Sequence, residues 1–285
     1  REGGVEVLEF HPIAPWRKYF NISLRDHRKI LVIDGKIAYV GGINIGKEYA
    51  GNKFHGKNWR DTHLRINGPA VKDIQYFFIE NWYRQGGSII NPSLHFPEIK
   101  QKGNTMLMTI STRSRKKIRP VFESYYYAIL TSKKSIYITN AYFVPDRKIR
   151  HALVRAAKRG VDVRLLLPAK SDVPIVKYAC RYLYKYYLRN KVKIFEYYKS
   201  ILHAKTAVVD DVLVTVGSSN LDRQSLYTNL ELNVMVFDDA FGNKMKKVFE
   251  KDIEYSREIT SEIIKRRSVS EFIIEWLAYR FRNVL

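Results

Sequence analysis

Between residues 135 and 209, apolar runs and helical periodicity alternate along the chain. Ser135-Ile-Tyr-Ile-Thr139 has the character of a strand. Asp146 stands where a helix cap belongs, Ile149, Leu153, Ala156 and Ala157 share one face, and Gly160 supplies a stop. Val161 to Leu167, with Val161, Val163 and Leu165-Leu-Leu167, reads as a buried strand. Asp172 can cap a second helix running to about Asn190, with Val176, Ala179, Leu183 and Tyr187 inward. Val192-Lys-Ile-Phe-Glu-Tyr197 then alternates again. The order β-α-β-α-β predicts an α/β layered fold.

A repeat organises the rest. Val5-Glu-Val-Leu-Glu-Phe10 alternates as residues 192–197 do, and each is expected to be a strand. Downstream come His27-Arg-Lys29-Ile-Leu-Val-Ile-Asp34 with Gly41-Gly42-Ile43-Asn44, and His203-Ala-Lys205-Thr-Ala-Val-Val-Asp210 with Gly217-Ser218-Ser219-Asn220. The spacing of His, Lys, Asp, Gly and Asn is the same in both. Such a repeat predicts two copies of one domain. The second copy has a β-α-β-α front half at about 135–190, for which the first has no room. We therefore expect a partial first domain over residues 1–104, a second over 105–285, and a start at Arg1 produced by a cut. From Ser268 onward, Phe272, Ile273, Trp276, Leu277, Tyr279 and Phe281 define an apolar helical face. A helix docked on its own domain is the preferred reading, and an interfacial membrane helix the sharper one.

Composition narrows the partners. The 285 residues include 50 Lys+Arg and 28 Asp+Glu, a net charge of +22, which points to an anionic partner. With 46% hydrophobic and 13% aromatic residues the chain is not disordered. Cys180 is the single cysteine, which excludes an internal disulfide and a cysteine-based zinc cluster. No run of 18 apolar residues offers a membrane-spanning helix.

On the motif strands, His and Lys share a face while Asp34 and Asp210 point away, placed to hold the following turn. Two copies face to face gather two His, two Lys and two Asn, a set suited to a phosphate group. One imidazole can attack phosphorus while the other protonates the leaving oxygen. No acidic cluster stands beside either His, so the expected chemistry uses no metal and no cofactor. Each His needs an acceptor for its second ring nitrogen. Asp61 is expected to serve His27, and Glu231 to serve His203. A lone His-x-Lys on a strand would mean little; the matched pair favours function. His11, His55, His63, His95 and His151 have no such context, though His63 sits near Asp61. The Tyr178–Tyr187 stretch is expected to be an amphipathic helix and Arg113–Arg119 a solvated loop.

The two H-x-K-x4-D segments, each followed by G-G/S-x-N, resemble the phospholipase D superfamily. Trp59–Val71, Ala141–Asp146, Gly160–Pro168 and Lys170–Asp172 resemble segments of bacterial cardiolipin synthases. The resemblance implies two phospholipase D-like αβα-sandwich domains about a pseudo-twofold axis, the first truncated. It implies transfer of a phosphatidyl group between two phosphatidylglycerol molecules, with release of glycerol. His27 would be the nucleophile and His203 the general acid, then base. Lys29, Lys205, Asn44, Ser218 and Asn220 would hold the phosphate, and Asp34 and Asp210 complete the motif. The implied partners are anionic phospholipid and a bacterial cytoplasmic-membrane surface, with no specific nucleic acid. A metal-independent nuclease of the same superfamily and a non-catalytic polyanion-binding module are the competing readings. Intact motifs in both copies weigh against the module.

Overall fold

The computed structural model describes residues 3–13, 16, 24–51, 56–112 and 119–282. His55 and the basic residues 113–118 lie outside that set. A small antiparallel sheet comes first: β1 (Ile30–Ile33), β2 (Ile37–Gly41) and β3 (His63–Asn67), in that order. Helices α1 (Val71–Arg84) and α2 (Pro92–His95) follow. The remaining elements are β4 (Met106–Ser111), α3 (Pro120–Thr131), β5 (Ser135–Asn140), α4 (Arg147–Lys158), β6 (Asp162–Pro168), α5 (Pro174–Tyr182) and α6 (Tyr184–Arg189). Then come β7 (Lys193–Tyr197), β8 (Lys205–Val209), β9 (Leu213–Gly217), α7 (Arg223–Tyr227), β10 (Leu232–Phe237), α8 (Asp239–Ile253), β11 (Ser256–Ile259), α9 (Ser261–Lys265) and α10 (Val269–Arg280).

The large sheet has the order β11-β7-β6-β5-β8-β9-β10-β4 among the described residues. β5, β6 and β7 are parallel neighbours, joined by α4 and by α5–α6, as the β-α-β-α-β pattern requires. The other pairings are antiparallel. Its two faces are covered differently. Ile136, Ile138, Val163, Leu165 and Leu167 join α3, α4, α5 and α6 in one core. Tyr137, Leu166, Val208, Val214 and Val234 face α8, α1 and the small sheet through Ala38, Val40, Ile66, Val71 and Ile74. Coverage of both faces explains the apolar run Leu165-Leu166-Leu167 in β6, where successive residues point to opposite faces and all are buried. Asp146 caps α4 by accepting from the Ile149 N–H at 2.9 Å, and Gly160 beyond its end takes φ 95°.

Four expectations are corrected. Val5–Phe10 forms no strand; Val7, Leu8 and Phe10 instead line a cavity with Phe78, Trp82 and Gln85, next to α1. The motif strands begin late, at Ile30 and Lys205, because the residues around each His leave the sheets to bridge the other half of the chain. Asp172 caps no helix. α5 starts with Pro174 and its capping position is Val173; the Asp172 carboxylate accepts from the Tyr142 hydroxyl at 2.6 Å. The helix also breaks at Leu183 into α5 and α6. Finally, α10 docks on α5 but turns Glu275 and Ala278 inward and much of its apolar surface outward.

Candidate active site

Two parallel bridges bring the halves of the chain together. Asp26 bridges Leu230, and the His27 N–H donates to the Leu230 carbonyl at 2.9 Å. The next residue along the second segment is Glu231, so this bridge sets Glu231 beside His27. Arg60 bridges Leu202, and the His203 N–H donates to the Arg60 carbonyl at 2.7 Å. That bridge sets Asp61 beside His203. Each carboxylate thus comes from the half opposite its histidine.

His27 Nδ1 lies 2.9 and 3.1 Å from the two Glu231 carboxylate oxygens. Glu231 is fully buried. The Ser218 hydroxyl donates to Glu231 Oε2 and accepts from the Leu232 N–H at 3.1 Å. The Glu231 N–H donates to Thr112 Oγ1 at 2.6 Å. His203 Nδ1 lies 2.8 Å from Asp61 Oδ2. Asp61 Oδ1 accepts from the Thr62 N–H at 2.7 Å. The neighbouring Arg60 is anchored to Asp252 of α8 at 2.9 and 2.7 Å. Gly42 makes room for this carboxylate, since a Cβ there would overlap both Asp61 oxygens.

A carboxylate at Nδ1 fixes the ring and holds its proton on that nitrogen, leaving Nε2 as the basic atom. The pairing is the reverse of the sequence expectation. Asp61 serves His203, and Glu231 serves His27. Spacing could not reveal this, because within-copy and across-copy pairing put the same residues in the same order.

His203 sits in an aromatic enclosure the sequence reasoning missed. The Tyr49 hydroxyl is 2.8 Å from its Nδ1, and the Trp59 and Tyr142 rings lie 5.7 and 6.3 Å away. Trp59 stands two residues before Asp61, and Tyr142 in a segment already noted, so proximity was their only signal. Burial moves the His203 pKa down, the Asp61 hydrogen bond opposes this, and the Lys205 charge adds to it. Burial also pushes the Tyr49 hydroxyl well above its ordinary range, with the Asp61 charge adding to that.

The two lysines are treated alike. Lys29 Nζ donates to the His27 carbonyl at 2.6 Å, and Lys205 Nζ donates to the His203 carbonyl and lies 2.9 Å from His203 Nδ1. Burial lowers Lys29 to about 8, against the charges of Glu231, Asp61 and Asp26. Burial lowers the fully enclosed Lys205 to about 7, with Asp61 and Glu231 opposing the shift and Lys29 adding to it. Lys205 responds to charges from both motifs, so the two share one electrostatic site. Asp222, buried as the cap of α7, is pushed up to about 7 by burial, and Glu231 adds to this.

The remaining expected residues divide. Asn220 is buried and its Oδ1 has no partner among the described residues. Asn44 is exposed and its Nδ2 donates to the Tyr49 hydroxyl at 3.4 Å. The buried Ser218 hydroxyl is turned to the Glu231 carboxylate. Asp210 does not approach the histidines. It accepts from the N–H groups of Lys133, Lys134 and Ser135 at 2.8, 2.7 and 3.0 Å, and burial raises its pKa less than those bonds lower it. It lies seven residues beyond His203, roughly 20 Å along the strand. Asp34 occupies the equivalent exposed turn, at φ 52° against 54° for Asp210. Asp210 thus holds its turn through those three N–H groups. His63 lies on β3 with Nδ1 buried and without a partner among the described residues. Among the described residues, no three His, Cys, Asp or Glu side chains are grouped so as to hold a metal ion.

Residues 126–253 match the family model described as "Cardiolipin synthase, PLD-like domain". Over residues 126–253 the chain carries a phospholipase D-like domain. It is 38% identical over 277 residues to the cardiolipin synthase of Geobacillus thermodenitrificans, a match covering 96% of this chain and 55% of that protein. It is 36% identical over 285 residues to cardiolipin synthase 1 of Staphylococcus epidermidis, covering 99% and 58%. The chain therefore spans about half the length of the curated relatives it matches. The crystal structure of Haemophilus influenzae phosphatidylserine synthase superposes with a TM-score of 0.68 at 12% identity, covering 92% of this chain and 69% of that one. At that identity the likeness establishes the fold: a phospholipase D-like α/β sandwich.

Proposed function

We propose that this chain carries the catalytic centre of a cardiolipin synthase, joining two phosphatidylglycerol molecules and releasing glycerol. The observation that carries the proposal is the crossed pair of His–carboxylate couples, Glu231–His27 and Asp61–His203, beside two buried lysines. In the first step His27 Nε2 attacks phosphorus and the P–O bond to glycerol breaks. The departing oxygen takes a proton from His203. In the second step the terminal hydroxyl of another phosphatidylglycerol gives its proton to His203 and attacks the phosphohistidine. Cardiolipin leaves, and both rings return to their starting states.

The assignment of nucleophile follows accessibility. The His27 side chain is 28% exposed against 5% for His203. His203, enclosed and depressed in pKa, gains its proton when a phosphodiester anion enters beside it. Lys29 and Lys205 supply charge to the equatorial oxygens, and Asn220 a neutral donor. Likeness to cardiolipin synthases along 96% of the chain supports a lipid over a nucleic acid as substrate. The site of action is the surface of the bacterial cytoplasmic membrane, where phosphatidylglycerol resides.

The test supplies the full-length protein with phosphatidylglycerol in micelles containing EDTA. Cardiolipin and glycerol should appear in equal amounts. Cleavage of DNA without cardiolipin would identify the nuclease instead, and loss of product on adding EDTA would contradict metal-free transfer.

A further inference from the structure

Away from the catalytic histidines, α10 is built inside out. Its capping box, Ser268 with Glu271, starts an ordinary helix. Toward the body it presents Glu275, 1% exposed and paired with Arg181 at 3.2 Å and with Arg267. Toward solvent it presents Val269, Ile273, Ile274, Trp276 and Leu277, each more than 40% exposed. α5, on which it lies, adds exposed Ile175 and Tyr178. A surface helix ordinarily does the opposite.

Beside this face is a groove of about 550 Å³ between α4, α6 and α10. Its walls include Arg147, Arg150, Lys185, Arg189, Arg267 and Arg282 and, among the described residues, no Asp or Glu. Aromatic rings hold three of the guanidinium groups. Arg267 stands 4.7 Å from the Phe272 ring, Arg282 4.6 Å from Tyr279, and Arg150 5.5 Å from Tyr186. Arg150 Nε is buried without a partner among the described residues. A second cavity of about 380 Å³ shares Lys185, Arg189, Arg267 and Phe272 with the groove and adds Leu188, Ile264 and Val269. Cationic donors thus converge next to apolar walls, a chemistry that fits a phosphate carrying hydrocarbon.

We propose that this groove binds the phosphate headgroup of an anionic phospholipid in the bilayer, on which the outward face of α10 rests. Charge complementarity selects the occupant's sign, and the apolar helix face selects a bilayer over a nucleic acid. The groove shares no residue with the His27–His203 site. It is linked to that site through α5, which starts two residues after Asp172, the acceptor for Tyr142 beside His203. Seating α10 and α5 on the membrane places the catalytic end of α5 at the lipid surface.

The experiment measures co-sedimentation of this chain with vesicles of phosphatidylcholine, with and without phosphatidylglycerol. The triple substitution Arg147→Ser, Lys185→Ser, Arg189→Ser removes exposed groove charges. A control triple, Lys244→Ser, Lys247→Ser, Lys251→Ser, removes as many from α8, on the other face of the large sheet. Tighter binding to vesicles containing phosphatidylglycerol is expected, with the groove triple losing about 100-fold and the control much less. Ile273→Ser with Leu277→Ser should weaken binding to both vesicle types, and His203→Ala should bind as wild type. Equal losses from the two triples would overturn the proposal, showing unspecific attraction. Displacement of vesicles by inorganic phosphate at constant ionic strength would overturn it in favour of a soluble ligand. Binding of RNA that the groove triple abolishes, with vesicle binding intact, would also overturn it.

Discussion

At the residue scale, the decisive feature is the crossing of the carboxylates. It predicts that Glu231→Gln changes the imidazole N–H signal of His27 and leaves that of His203, while Asp61→Asn does the reverse. Nitrogen–proton correlation spectra of the rings check this; an effect of Glu231→Gln on His203 would contradict the pairing. Either substitution should lower kcat by about 10³–10⁴-fold, the scale seen when a triad carboxylate is neutralised. The lysines give a second prediction. Lys205 and Lys29 titrate near 7 and 8 when folded, against 10.5 unfolded. Over the interval above those values the unfolded chain binds more protons, so these groups make stability rise with pH. Below about 7 both are charged in either state, and their full destabilisation is present. Urea unfolding from pH 7 to 10 should therefore show a flatter pH dependence in Lys205→Met than in wild type. An unchanged slope would mean that burial does not lower the Lys205 pKa.

At the element scale, local pattern determined much and long-range pairing the rest. β5, α4, β6 and β7 were legible because strand runs, the Asp146 cap and the Gly160 stop are local signals. Val5–Phe10 misled because alternation records apolar positions without saying whether a neighbouring strand exists. α10 misled because its apolar periodicity carries no arrow toward the core; the buried Glu275 reversed it. The motif residues themselves were visible as a repeat. Which carboxylate meets which histidine depended on bridges between residues 26 and 230 and between 60 and 202, separations that spacing cannot encode. Two substitutions test the supporting elements. Leu165→Ala, in the core beneath α4 and α5, should cost about 2–5 kcal/mol in urea unfolding. Gly42→Ala should push Asp61 from His203 and cut activity more than it cuts stability, measured as kcat against the urea midpoint.

At the scale of the whole molecule, the two halves are interdependent, because each completes the other's histidine. Neither half alone holds a complete His–carboxylate couple. The net charge of +22 also divides by role. Lys29 and Lys205 lie beside the two histidines, and the groove beside α10 gathers another group. Double displacement through His27 is checked by quenching the full-length protein during turnover with phosphatidylglycerol and mapping the modified peptide by mass spectrometry. A phosphatidyl group is expected on the peptide containing His27 and is expected to be absent from the His27→Ala variant. A phosphatidyl group on the His203 peptide, or cardiolipin forming with no modified histidine, would contradict it.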